Sequence, residues 1–469
     1  MINKVEVIIE KNKQQLIESL QESIRIPSVE GTPEPGAPFG KEVRRALDHA
    51  LAKAEELGFK TSNMEGYVGC VDYGEGEEML GILCHLDVVP EGTGWENPPY
   101  GAVIKDDIMY GRGTLDDKGP AFAAIYALAA IKEAGIPLRR RVRIILGTNE
   151  ETGWGCMNYY KQHCEAPTLA FTPDGEYPVV NSEKGILHTT FEKRFPSKLR
   201  IKAGTRPNVV PGRTEIIVSE NIKTVTDAVN AAKAKYDYLN EFKFEMNMDA
   251  LSSIVGVIKG EGVSTKLTVI GLDAHASTPE LGKNSLQAAF AVLDELGLEG
   301  EDGAMVARMH KALGLGMHGE DMGLDITDAS GRLTLNPGVI DWNENGIVDF
   351  KIDVRHPITL SADEVKAKQE EALGMKITHE HAQHGLFVPA DSELVSKLLK
   401  VYGDRTGNYL PPLAIGGGTY ARAFENAVAF GCEIPGKPAP VHMPNEYISI
   451  EDLMFNANII ADAILALAK

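Results

Sequence analysis

The chain has 469 residues, with 47 Lys and Arg against 67 Asp and Glu and a formal net charge of −20. That length is a prior for two or three domains, each able to bury its own core, and 43% hydrophobic with 24% charged residues is ordinary for a globular chain, which argues against disorder and fibrous repeats. The acidic balance excludes a phosphate-backbone binder, because that needs a basic footprint, so no nucleic-acid partner is expected.

Residues 1–20 interleave charges with apolar side chains at helical spacing and lack the long apolar core of a signal peptide. The longest apolar stretch, Ala121 to Ile131, is shorter than the roughly 20 residues that span a bilayer, so no membrane partner is expected. Helical periods run near 3–24, 39–57 and 119–134, and between them lie short apolar runs at Met79 to Cys84, Arg141 to Leu146 and Thr168 to Thr172. This alternation predicts an α/β domain with a mixed, mainly parallel sheet sandwiched by helices. In such sheets the ligand crevice lies at the carboxyl ends of the strands.

After about Glu183 the texture changes. Strand-like segments at 186–191, 215–218, 265–270, 332–335 and 347–354 mix with helical stretches near 223–238, 285–297 and 363–373, which predicts an inserted α+β domain. From residue 386 the α/β texture returns, with Asp391 read as the N-cap of a helix over 394–401 and a closing amphipathic helix from Glu451. The expected organisation is therefore 1–182 and 386–469 as one domain interrupted by 183–385. Five cysteines, Cys70, Cys84, Cys156, Cys164 and Cys432, show no C-x-x-C spacing, so neither a disulfide framework nor a thiolate site is expected, and a reducing cytoplasm is the expected compartment.

Five acidic or histidine elements could do chemistry, three of them where strands should end. His85 and Asp87, two apart after an apolar run, point the same way on an extended backbone and read either as a metal ligand with its orienting partner or as a plain polar pair. The glycine-rich Gly111-Arg-Gly-Thr-Leu-Asp-Asp-Lys-Gly119 fits neither phosphate-binding pattern, and Asp116 or Asp117 could simply cap the next helix. Glu150 and Glu151 come after the strand 141–146, so one carboxylate can hold a metal while its neighbour takes a proton; a solvated acidic turn is the bland alternative. Asp174 comes after another short strand, and His442 brings a second histidine from the returning domain. Two histidines with several carboxylates suit zinc, and a bridging carboxylate would allow two ions.

Taken together, the motifs H-L-D-V-V-P, G-R-G-T-L-D-D-K-G, T-N-E-E-T-G-W, P-D-G-E-Y-P, A-H-A-S-T-P-x-x-G-K-N-S and a late H-x-P-N-E-Y resemble the dinuclear-zinc aminoacylase/carboxypeptidase/dipeptidase superfamily, and most of all its bacterial PepV-type dipeptidases. The resemblance covers almost the whole chain, in the expected order. It implies a zinc exopeptidase-like catalytic domain, with the insert as a lid, and two Zn²⁺ per chain, with Co²⁺ or Mn²⁺ as alternatives. By that resemblance His85 and His442 each bind one zinc, Asp116 bridges both, and Glu151 and Asp174 are the terminal ligands. Asp87 orients His85, Glu150 is the general base, and His275 of the lid stabilises the oxyanion. Asn208 and Arg355 match substrate-holding positions, Arg355 with a fork suited to a carboxylate; the glycine-rich turn 416–422, with Gly417 and Thr419, reads as the entry to a helix whose N–H groups add donors to the same carboxylate. The implied substrate is a dipeptide with a free C-terminal carboxylate, and the insert of about 200 residues favours a monomer. An N-acyl-amino-acid deacylase or desuccinylase shares the same metal site, and a catalytically silent binding protein is a third reading. The tract His379, His381 and His384 is read as solvated and not as a metal site.

Overall fold

The apolar runs of the first part form strands because they can be buried on both faces. Met79–His85 is buried along its whole length, as expected for the interior of a parallel sheet. The computed structural model describes residues 2–248 and 263–469. Its contacts divide the chain into two units, one of Met1–Ser182, Leu386–Leu413 and Gly418–Lys469, the other of Glu183–Gly385 and Ala414–Gly417.

In the first unit the sheet runs, from one edge, through Lys60–Met64, Val68–Tyr73, Arg141–Gly147, Met79–His85, Leu169–Thr172 and Ala427–Ala429. The last four of these are mutually parallel, and the first two join them through antiparallel pairings, Lys60–Met64 with Val68–Tyr73 and Val68–Tyr73 with Arg141–Gly147. Helices flank it. Lys118–Ala134, apolar on nearly every side and buried almost throughout, packs against the closing helix Ile450–Ala468 and against the two central strands. The helical period at the start is two helices, Ile2–Lys11 and Lys13–Ile24, with Asn12 between them. The helix expected to start from Asp391 is instead capped by Ser392, whose side chain accepts from Val395 N–H. All five cysteines are free thiols. Among the described residues no helix is long and apolar enough to cross a membrane.

The second unit has an eight-stranded antiparallel sheet, in the order Lys243–Met248, Thr265–Ile270, Arg213–Val218, Arg200–Ala203, Thr334–Asn343, Gly346–His356, Gly185–Arg194 and Ile377–Gln383. Its alternating sequences bury one face under the helices Ile222–Lys235, Ser285–Leu296, Gly300–Leu313 and Ala362–Leu373, around Leu187, Phe191, Leu267, Phe290, Trp342 and Phe350. Three of these helices start on side-chain caps: Asn221, Asn284, and a Ser361–Glu364 capping box. Of the histidine tract, His379 and His381 lie in the exposed edge strand Ile377–Gln383, paired with Gly185–Arg194, and His384 follows it.

Candidate metal centre

Three neighbouring parallel strands end together. His85 closes Met79–His85, level with Gly147; Arg141–Gly147 continues into Glu150 and Glu151, and Leu169–Thr172 continues towards Asp174. Asp116 comes from the loop before helix Lys118–Ala134, and His442 from the segment before strand Tyr447–Ser449.

The side chains form two donor sets that share one carboxylate. His85, Asp116 and Asp174 make one, and Asp116, Glu151 and His442 the other. His85 Nε2 lies 2.8 Å from Asp116 Oδ1 and 3.6 Å from Asp174 Oδ2. His442 Nε2 lies 2.9 Å from Asp116 Oδ2 and 3.1 Å from Glu151 Oε2. Each oxygen of Asp116 therefore faces a different histidine, the disposition a bridging ligand needs. Nitrogen and oxygen donors in this ratio fit zinc, and Co²⁺ or Mn²⁺ suit the same atoms.

Electrostatics point the same way. Burial pushes Asp174, Glu151 and Glu150 upward, and the carboxylates around them add to it. Burial works against charge on His442, but its hydrogen bonds to Asp116 and Glu151 push its pKa up to about 11. Asp116 is held low, against its burial, by hydrogen bonds from His442 and His85. Several carboxylates thus crowd around two histidines, an excess of negative charge that cations would offset.

Asp87, expected to orient His85, meets its ring with the backbone carbonyl 2.9 Å from Nδ1 and the nearer carboxylate oxygen at 3.6 Å. The carboxylate accepts the backbone N–H groups of Glu150 and Glu151, each at 3.1 Å, and so holds the acidic turn. Asp117 stands at the N-cap position of its helix but makes no capping bond; it accepts from His85 N–H at 2.9 Å. Glu150 belongs to neither donor set, and its Oε1 accepts from Trp154 Nε1 at 3.2 Å. Trp154 and His85 both meet the Tyr420 ring edge-on.

The remaining expected residues divide between the units. In the second, the ladder of Val209–Val210 with Ala274–His275 pairs Val209 with His275, and Ala276 N–H donates to Asn208 carbonyl at 3.0 Å, so Asn208 and His275 are neighbours. Ser277 N–H donates to His275 Nδ1 at 3.2 Å, which places the proton of a neutral ring on Nε2, the donating tautomer. Arg355, on Gly346–His356, is held by Asp353: Nε to Oδ1 at 2.8 Å and Nη2 to Oδ2 at 2.9 Å. Its Nη1 donates to Gly416 carbonyl at 3.1 Å. These contacts engage Nε and both Nη atoms and so fix the plane of the guanidinium fork. His188 Nε2 also meets Asp353, at 2.7 Å. Gly417 falls in the second unit and Thr419 in the first. The glycine run was expected to precede a helix that could bind an anion, but the chain enters only the short 3₁₀ turn Tyr420–Ala423, and the Thr419 side chain caps it by accepting from Ala421 N–H. Sequence reasoning missed Trp154, Asp353 and Glu446; the available signals were the T-N-E-E-T-G-W and H-x-P-N-E-Y motifs for Trp154 and Glu446 and, for Asp353, its place two residues before Arg355.

Residues 81–466 match peptidase family M20/M25/M40. The chain is 35% identical over 477 residues to the putative dipeptidase YtjP of Bacillus subtilis (strain 168), covering 99% of each. It is 33% identical over 472 residues to the Beta-Ala-Xaa dipeptidase of Lactobacillus delbrueckii subsp. lactis, covering 98% of this chain and 97% of that one. Similar solved folds include human carnosine dipeptidase 1, with a TM-score of 0.56, 15% identity and 99% coverage of both chains. Another is the dipeptidase Dug1p from Saccharomyces cerevisiae, with a TM-score of 0.57, 14% identity and coverage of 99% of this chain and 98% of that one. The family match spans most of the sequence, and the two bacterial relatives align with nearly all of it, so this chain belongs to peptidase family M20/M25/M40.

Proposed function

We propose that the chain is a zinc-dependent dipeptidase, hydrolysing the peptide bond of dipeptides that carry a free C-terminal carboxylate. The observation that carries this reading is the shared Asp116, with Oδ1 towards His85 and Oδ2 towards His442 and an uncommitted Glu150 beside the donor Glu151. In it, His85, Asp116 and Asp174 hold one Zn²⁺, and Asp116, Glu151 and His442 the other. The dipeptidase names of the two bacterial relatives support the substrate class.

When bound, the ions would supply Lewis-acid polarisation of the scissile carbonyl and acidify water. Glu150 takes the proton of the attacking water and returns it to the leaving amine, while Trp154 Nε1 holds its carboxylate in place. Asp87 keeps Glu150 and Glu151 apart in their roles by gripping both peptide N–H groups. His275 donates from Nε2 to the oxyanion. Arg355 grips the substrate carboxylate with its guanidinium fork, and Asn208, Gly417 and Thr419 complete the substrate contacts. We assign residues 183–385 the part of a lid domain and expect a monomer acting in the cytoplasm.

The test is hydrolysis by chelated and Zn²⁺-reconstituted protein on free α- and β-alanyl dipeptides and on their N-acylated counterparts. The reading expects activity that vanishes with chelator, returns with metal and favours the free dipeptides. Preference for the acylated substrates would replace it with a deacylase.

A further inference from the structure

Outside the two donor sets lies a carboxylate with more hydrogen-bond partners than any ligand in them. Glu446 is fully buried. Its Oε1 accepts the backbone N–H groups of Gly113 at 3.0 Å, Leu115 at 2.9 Å and Asp116 at 3.2 Å, and its Oε2 accepts from Arg112 Nη1 at 2.7 Å. Its own carbonyl accepts from Gly111 N–H at 2.9 Å. Arg112 is steadied in turn by the Trp95 ring, 5.4 Å from its guanidinium carbon. The loop that presents Asp116 is thus fastened along its length to one residue, and that residue stands four positions after His442.

The geometry explains why it stands there. Strands Ile108–Tyr110 and Tyr447–Ser449 pair antiparallel, with Tyr110 opposite Tyr447. The chain leaves this ladder after Tyr110 towards Asp116 and enters it before Tyr447 from His442, so the two segments diverge like the arms of a fork with Glu446 at the crotch. His442 is half-exposed and lies in no regular element, and Asp116 lies in a loop. Backbone ladders therefore fix neither ligand, and the side chain of Glu446 spans from one arm to the other.

We propose that Glu446 is a positioning residue for the metal centre: it sets Asp116 against His442 so that the shared carboxylate turns one oxygen to each histidine. This rests on the metal reading proposed above. A buried carboxylate with three peptide N–H groups and an arginine is fully satisfied, and its replacement by glutamine keeps the shape but turns an amide N–H towards the Arg112 donors.

The experiment titrates metal-free protein with Co²⁺, followed by the visible spectrum and by bound cobalt after dialysis, for wild type, Glu446→Gln and the shorter Glu446→Asp. Each is also combined with Asp116→Asn, and circular dichroism and elution volume report folding. A folded variant should bind Co²⁺ roughly 10–100-fold more weakly, as for other residues that orient ligands, with an altered spectrum. It should add no further loss in the Asp116→Asn background, because Glu446 acts through Asp116. A folded variant with wild-type affinity and spectrum overturns the proposal, and so does a loss that adds to that of Asp116→Asn. If neither substitution folds, Glu446 serves global stability and the proposal is wrong. Failure of wild type itself to take up Co²⁺ would instead sink the metal reading on which it rests.

Discussion

Asp353→Asn tests the substrate grip proposed for Arg355 through a residue outside the proposed substrate contacts. Asp353 is fully buried and holds Arg355 in a two-point contact, with His188 on the same carboxylate. The amide keeps the volume but sets an N–H against one of the Arg355 donors, so the guanidinium must turn away from its present plane. Losing one well-aimed hydrogen bond to a charged group costs about 1.5–3 kcal/mol, which corresponds to roughly a 10- to 150-fold change at about 1.4 kcal/mol per factor of ten. The contact would hold the carboxylate in the ground state and the transition state alike, so the loss belongs in KM, with kcat little changed. The assay compares a dipeptide with its C-terminal amide, for both wild type and variant. The amide lacks the group that Arg355 is proposed to grip, so the variant should matter only for the free acid. An equal loss on both substrates would refute the reasoning, since Asp353 would then be acting on something other than carboxylate recognition.

Further expectations concern the centre and the fold. Glu150→Gln should keep wild-type metal content while losing roughly 10²–10⁴-fold in kcat, whereas Glu151→Ala should lose metal; equal metal loss in both would reverse their assigned roles. Gly147→Ala would bring a methyl to 2.2 Å from the buried Tyr420 hydroxyl. It should destabilise by about 1–3 kcal/mol in urea unfolding, and displacement of the ring against His85 should weaken metal binding too. Burial alone would raise the Asp353 pKa, but the His188 hydrogen bond and the Arg355 charge hold it below the usual 3.8. Its contribution to stability is therefore complete above pH 3.8 and lost as pH falls through the lower folded value. Urea midpoints measured from pH 5 downward should show wild type losing more stability than Asp353→Asn in that window, and parallel curves would contradict this assignment.

The sheet of the first unit was legible because its central strands are buried on both faces and read as unbroken apolar runs between turn residues, Met79 to Cys84 being the clearest. The antiparallel strands of the second unit showed through their alternation, as in Arg213–Val218. Helix Gly300–Leu313 went unread because Gly300 and Gly303 open it and its apolar face is sparse. The edge strand Ile377–Gln383 went unread because its side chains are mostly exposed and polar, and it is a strand by virtue of its partner Gly185–Arg194. At the centre, the residue types at the strand ends named the candidates, but hydrogen-bond partners are properties of the folded chain. Asp87 could be paired with His85 by spacing, yet its carboxylate goes to peptide groups more than sixty residues away. Glu446 is a lone glutamate in sequence, and every partner of its side chain lies more than three hundred residues before it. The glycine run at Gly416 reads as a helix entry, but only a 3₁₀ turn separates it from the strand Ala427–Ala429.

The central claim is that one carboxylate serves two metal ions. Its most direct measurement is the number of Zn²⁺ ions bound per chain, by titration of metal-free protein with bound zinc counted after dialysis, for wild type and Asp116→Asn. The account predicts two ions in wild type and weakened binding of both in the variant, because each donor set loses the same ligand. A single ion in wild type, or a variant that loses one ion while holding the other at wild-type affinity, would contradict it.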